Sequence, residues 1–196
     1  MYKVFELCRE KDLSPYKTFE CGQCFRWNDD GTGAYIGVAS GRAARVFLRG
    51  GNTMIECEEE DFGFWHNYLD MDTNYMAARE SIMIGDYLTE CAEYGEGIRI
   101  LRQDYWEALC SFIISQCNNI PRIKSIIEKL CALFGEEMET PWGVKFTFPT
   151  ASRVALLEEP ELAPLRSGYR AAYIINAARA VASGEIDLQY AATLDG

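Results

Sequence analysis

Histidine is almost absent from this chain: among 196 residues there is only His66. A structural zinc ion needs four converging ligands, usually as two close pairs. The eight cysteines (Cys8, Cys21, Cys24, Cys57, Cys91, Cys110, Cys117 and Cys131) supply one close pair, Cys21 with Cys24. On an extended strand, residues three apart face opposite sides, so that pair does not chelate without a turn between its members. No metal or redox site is expected, and the cysteines read as reduced thiols, several buried as small apolar side chains. Long apolar runs are missing too: nothing approaches the ~18 residues of a membrane span. The opening residues Met1-Tyr2-Lys3-Val4-Phe5-Glu6 show no basic stretch leading into an apolar one. No secretory signal is read there, and the expected location is cytoplasmic, on the nucleoid if the source is bacterial. Internal repeats and low-complexity tracts are also lacking.

Positive charge is short as well. Lysine and arginine number 19 against 30 aspartates and glutamates, a net charge of −11. Such a balance argues against nucleic acid, whose binding draws on phosphate neutralisation. The deficit is local, however. Residues 51–96 hold twelve acidic residues and one arginine, Arg79, which accounts for all of it, and the remainder carries eighteen of each sign. That stretch is either a face that DNA would avoid or an acidic solvated surface with no partner. Apolar residues at 48% and charged residues at 25% mark an ordinary globular chain, long enough for one large domain or two small ones.

Turn residues organise the first half. Residues 17–57 read as strands, with Tyr35–Ala39, Arg45–Leu48 and Thr53–Cys57 separated by Asp30-Gly31, Gly33, Ser40-Gly41 and Gly50-Gly51-Asn52, the spacing of an antiparallel meander. From residue 59 to 94 the pattern turns helical, with Phe62, Trp65 and Leu69, then Tyr75, Ala78 and Ile82. Gly95-Glu96-Gly97 is a candidate boundary, giving domains 1–96 and 97–196. Beyond it Asp104 and Glu107 fit a capping box, opening a helix apolar nearly all round and so expected at the centre of a core. Asn119 and Pro121 suit a cap and an early helical proline. Ile123, Ile126, Ile127, Leu130, Leu133 and Phe134 follow helical spacing until Gly135. Short helices are expected from Thr150 and Pro160, and a long one from about Tyr169 to Ser183. The fold class is α+β, an antiparallel β domain followed by a helical one.

Three stretches could carry chemistry. In Cys21-Gly22-Gln23-Cys24 the glycine marks a bulge, or a place where a ligand meets bare backbone. In Ser115-Gln116-Cys117-Asn118-Asn119-Ile120-Pro121-Arg122 the polar residues are turn and capping groups, or groups facing a partner. In Ser167-Gly168-Tyr169-Arg170-Ala171-Ala172-Tyr173 the tyrosine either packs at a helix start or projects.

Taken together, Phe19-Glu20-Cys21-Gly22-Gln23-Cys24-Phe25-Arg26-Trp27, Leu101-Arg102-Gln103-Asp104 and the turn from Ser115 to Arg122 resemble the 8-oxoguanine DNA glycosylases, which remove an oxidised guanine from duplex DNA. The resemblance implies a β domain like the TATA-binding protein and a helical domain of the helix-hairpin-helix glycosylases. It implies lesion-base recognition by Gly22, Gln23 and Phe25, the Gly22 carbonyl accepting a hydrogen bond from the lesion. Guanine N7 is only an acceptor, whereas 8-oxoguanine carries a hydrogen there. It further implies contacts to the orphaned cytosine by Arg122 and Arg170, assisted by Asn118 and Asn119, with Tyr169 as a wedge beside it. The family's hole-filling asparagine falls on Cys117, a shorter and weaker hydrogen-bonding group. No cofactor and no metal are implied, and the full-length enzyme would be a monomer acting on duplex DNA containing 8-oxoguanine, away from membranes.

The family cuts with a lysine that follows a glycine-rich hairpin, forming a Schiff base with the sugar, and with an aspartate nearby. Lys3, Lys11, Lys17, Lys124, Lys129 and Lys145 follow no such hairpin, and Leu188 to Gly196 would precede it. Lys124 and Lys129 read as solvent-facing. The expectation is the lesion-recognition portion of a glycosylase and AP lyase, catalytically inactive as it stands. Two alternatives stay open: a non-catalytic DNA- or protein-binding module, with an exposed apolar helix face near residues 170–183, and an alkylated-base glycosylase of the same superfamily.

Overall fold

Turns rich in glycine set the strands of the first half. The computed structural model describes residues 1–194. β1 (Tyr2–Arg9), β2 (Trp27–Asp29), β3 (Tyr35–Ala39), β4 (Arg42–Arg49) and β5 (Asn52–Glu58) form one sheet in the order β1-β5-β4-β3-β2. β1 with β5, β4 with β5 and β2 with β3 pair antiparallel. With the helices below, this is the expected α+β class. The edge strand β1 was not expected. Nor was α1 (Pro15–Glu20), which occupies part of the span read as strand. Pro15 starts it, at a position where the missing N–H has no helical partner to lose.

The chain divides into two compact units, Met1–Gly37 with Ala43–Arg102, and Val38–Arg42 with residues 103 onward. The first unit is built on aromatic rings. Phe19 stacks on Trp27 at 4.2 Å, and Trp65 meets Trp27 edge-on at 5.6 Å. The Trp27 indole N–H donates to the Tyr68 hydroxyl at 3.2 Å. Trp65 and Tyr68 come from α2 (Phe62–Tyr68). Gly37 lies against the Trp27 indole, where a Cβ would overlap the ring. Two further helices follow, α3 (Tyr75–Ile82) and α4 (Gly85–Tyr94). Their apolar spacing suggests a buried face, yet α3 buries no side chain and α4 only Ala92. The unit runs past Gly95–Gly97 to Arg102, because the Gly97 carbonyl accepts from Ser14 N at 2.8 Å and from Thr18 Oγ1 at 3.0 Å.

The second unit is helical: α5 (Tyr105–Ser115), α6 (Ile120–Phe134), α7 (Ala151–Ala155), a 3₁₀ stretch Glu159–Leu165, α8 (Arg170–Ala182) and α9 (Leu188–Ala191), with a small hairpin of β6 (Glu137–Met138) and β7 (Lys145–Phe146). The caps fall where the residue types suggest. Asp104 accepts from Glu107 N at 2.9 Å, Asn119 from Arg122 N at 3.0 Å and Thr150 from Arg153 N at 3.2 Å. Cys110, Ile114, Ile127, Leu130, Leu162 and Ile174 form a fully buried core. α5 is not enclosed on all sides, since Phe112 is 65% exposed. On α8, Ala171, Ile174, Ile175 and Ala178 are buried, so the unpaired apolar face considered for residues 170–183 is in fact packed. Asp195 and Gly196, the end of the stretch expected to precede a hairpin, lie outside the described residues.

Candidate nucleic-acid interface

In the first unit, the Cys21–Cys24 segment is a bend that follows α1, not part of a strand. Gly22 takes φ 88°, in the left-handed region where only glycine sits without strain. The bend leaves Cys21 exposed and Cys24 buried. Gln23 then anchors it. Its amide N–H groups donate to the carbonyls of Thr18 at 3.0 Å and Arg99 at 2.7 Å, and its Oε1 accepts from Leu101 N at 3.0 Å. An amide whose two ends are engaged this way holds the glycine turn against the 97–102 segment. That is a different task from the direct base contact expected of it. Phe25 is 7% exposed, a core side chain where a base contact was expected.

The 97–102 segment is itself fixed. Arg99 Nε donates to the Asp12 carbonyl at 2.9 Å and its Nη1 to the Asp70 carbonyl at 2.5 Å, with its guanidinium over the Tyr75 ring. The Tyr75 hydroxyl donates to Asp70 Oδ2 at 2.8 Å and accepts from Ile100 N at 2.9 Å. Asp70 also accepts from Arg102 Nε at 2.8 Å. Burial pushes the Asp70 carboxyl up. Hydrogen bonds from Tyr75, Arg102 and Thr73, with the Arg102 charge, outweigh it, and the pKa lies below the ordinary carboxylate value.

In the second unit, the turn between α5 and α6 meets the start of α8. Cys117 is exposed and left-handed, at φ 49°. Asn118 donates through Nδ2 to the Ile114 carbonyl at 3.1 Å and accepts through Oδ1 from Asn119 N at 3.1 Å. Asn119 caps α6. Both asparagines therefore shape the turn. Arg170, 6% exposed, donates through Nε to the Gln116 carbonyl at 3.1 Å and through Nη1 to the Ser167 carbonyl at 3.2 Å. Its Nη2 donates to the carbonyls of Gln116 and Cys117. This guanidinium is a strut between α8 and the turn, where a cytosine contact was expected. Arg122 is exposed and reaches the Arg166 carbonyl at 3.2 Å. Tyr169 is exposed, lies over the Arg170 guanidinium and meets the exposed Tyr173 ring edge-on at 5.7 Å.

The surface so formed presents Cys117, Arg122, Arg166, Tyr169 and Tyr173. Among the described residues none of Arg122, Arg166 and Arg170 has a carboxylate partner. The exposed guanidinium groups of Arg122 and Arg166, beside projecting aromatic rings, suit a phosphate backbone and stacked bases. Two members were not singled out beforehand. Arg166 occupies a left-handed position after the 3₁₀ stretch, which no local pattern announces. Tyr173 lies four residues after Tyr169, a helical spacing that could have paired them. A cavity of about 760 Å³ lies in the same unit at the opposite end of α5, lined by Asp104, Trp106, Glu107, Pro149 and Arg153 among others. It shares no residue with the arginine–tyrosine surface.

Comparison with known proteins gives a consistent result. Residues 7–109 match the family model described as the N-terminal domain of 8-oxoguanine DNA glycosylase. Residues 110–195 match that of the HhH-GPD superfamily of base excision DNA repair proteins. An N-glycosylase/DNA lyase of Saccharomyces cerevisiae is 33% identical over 197 residues, covering 91% of this chain and 52% of the relative. The structure of MBOgg1 in complex with a low-affinity DNA ligand superposes with TM-score 0.89 at 40% identity, covering 96% of this chain and 65% of that one. The 8-oxoguanine glycosylase/lyase of Clostridium acetobutylicum, in complex with double-stranded DNA containing cytosine opposite 8-oxoguanine, gives TM-score 0.89 at 31% identity, with coverage of 100% and 69%. The chain spans about half the length of the curated relatives it matches.

Proposed function

This chain belongs to the 8-oxoguanine DNA glycosylase family, and from that premise we propose that it is the lesion-reading part of a base-excision repair glycosylase and AP lyase acting on duplex DNA. The observation that supports it most directly is the Gly22 turn, a left-handed glycine held by Gln23 through three hydrogen bonds to backbone. The carbonyl of such a turn is a fixed acceptor without a side chain in the way. Facing N7 of a flipped base, it accepts a hydrogen bond from 8-oxoguanine and opposes the lone pair of guanine. A bond gained in one case and an unsatisfied acceptor in the other amount to about 1–3 kcal/mol, on the order of ten- to a hundredfold in affinity.

On the second unit, Arg122 faces the orphaned cytosine and Tyr169, braced by Tyr173, wedges into the opened step. Arg170 and Asn118 hold the turn that carries residue 117, and the Cys117 thiol partly fills the gap left by the flipped base. The sheet of the first unit is of the TATA-binding-protein type, and the protein works in the cytoplasm on chromosomal DNA as a monomer. The 196 residues bind the lesion and do not cut it.

Labelled duplexes carrying one 8-oxoguanine or one guanine opposite cytosine test this. Tighter binding to the lesion duplex, with neither strand cleavage nor borohydride trapping, is expected. Equal binding of the two duplexes refutes the lesion reading, and a borohydride-trapped complex refutes the assignment as non-cutting.

A further inference from the structure

We propose that α3 and α4 form a docking groove for a basic amphipathic helix of a partner protein, built from none of the residues proposed to read DNA. These two helices bury only one side chain, Ala92. Beside acidic residues, they and the link between them expose large apolar side chains: Ile84, Tyr87 and Tyr94 are 74%, 76% and 81% exposed, and Met76, Ile82, Met83 and Leu88 are exposed as well. Two short helices without a buried face gain little from packing, and isolated helices of this length are marginal in water. Between them lies a groove of about 250 Å³ whose apolar walls are Met76, Met83 and Ala92. That volume is below the range typical of small-molecule sites and suits one or two apolar side chains of a helix. Methionine walls adapt to such an anchor.

Charge selects the occupant. Glu80, Glu93 and Glu96 line the same groove, and Arg79 is engaged with Glu96 at 3.1 Å. Among the described residues Glu80, Asp86, Glu90 and Glu93 have no cationic partner. A surface of this sign repels nucleic acid and an anionic membrane, and it repels a second copy of itself. A helix with a leucine-like stripe flanked by lysine or arginine meets both the apolar floor and the acidic rim.

The test titrates the whole 196-residue chain into a fluorescein-labelled 18-residue Lys/Leu peptide with leucines at helical spacing, read by anisotropy. A peptide of the same composition, scrambled to destroy the apolar stripe, is the control. Saturable one-to-one binding is expected for the first peptide, at least about tenfold tighter than for the second. Met83→Glu combined with Met76→Glu should weaken it by a similar factor, and Glu80→Lys combined with Glu93→Lys should abolish it. Both pairs lie on the surface, and unchanged melting curves confirm that the variants fold. Equal affinity for the two peptides overturns the proposal, since charge alone then explains binding. Unchanged affinity in the methionine variant overturns it too, as does a dimer in sedimentation that the same variant dissociates.

Discussion

Replacing Gln23 by Met keeps the side chain's length and removes its hydrogen bonding. The wild-type amide makes bonds of 3.0 Å to the Thr18 carbonyl, 2.7 Å to the Arg99 carbonyl and 3.0 Å from Leu101 N. At about 1 kcal/mol net for each, the three bonds total about 3 kcal/mol. The site is only part-buried and water recovers some of the loss, so about 2 kcal/mol of local stability is at stake, a factor of roughly 30. Two readouts follow. The Leu101 amide should exchange with deuterium about 30-fold faster, without a matching change at core amides such as Ile114. The ratio of affinities for 8-oxoguanine and guanine duplexes should fall towards one, because the Gly22 carbonyl is no longer held in place. Faster exchange with an unchanged affinity ratio would refute the link between the Gln23 clamp and lesion reading. Unchanged exchange would refute the clamp itself.

Cys117→Asn should raise stability by up to about 1 kcal/mol in urea titration, since residue 117 sits at φ 49° and asparagine tolerates that region best among side-chain-bearing residues. The same change should tighten binding to the lesion duplex, as an amide offers the gap a donor and an acceptor. Gly37→Ala places a Cβ into the Trp27 indole and should lower stability by about 3 kcal/mol, measured by thermal or denaturant unfolding. Asp70 has a folded-state pKa below its unfolded value, so its contribution is present above about pH 4 and is lost as pH falls through the folded pKa. Asp70→Asn should therefore be less stable than wild type at pH 6, and the difference should shrink when both are unfolded by urea at pH 3.

What the sequence disclosed, and what it hid, follows the range of the interactions. β3 and β5 are bounded by glycine turns a few residues away, and the caps at Asp104 and Asn119 act over three residues, so residue types reveal them. β1 is an edge strand with charged Lys3, Glu6 and Arg9, and its partner β5 lies some fifty residues on, so nothing local marks it. The Cys21–Cys24 bend was hidden likewise: Gln23 finds its partners 76 and 78 residues later. The motifs located the glycine turn, the asparagine turn and Tyr169 without separating groups that face outward from those that brace. Arg122 and Tyr169 project, while Gln23, Asn118 and Arg170 are turned onto backbone carbonyls and amides, a distinction that depends on contacts across the fold.

The Arg170 strut makes the two halves of the second surface mechanically one. Its guanidinium grips the carbonyls of Gln116 and Cys117 from the residue next to Tyr169. A tyrosine pushed aside by a base step would drag on the turn, and a displaced turn would shift the tyrosine. Substitutions at 117 and 169 should accordingly fail to add in a double-mutant cycle, and their coupling should vanish once Arg170 is cut back to alanine.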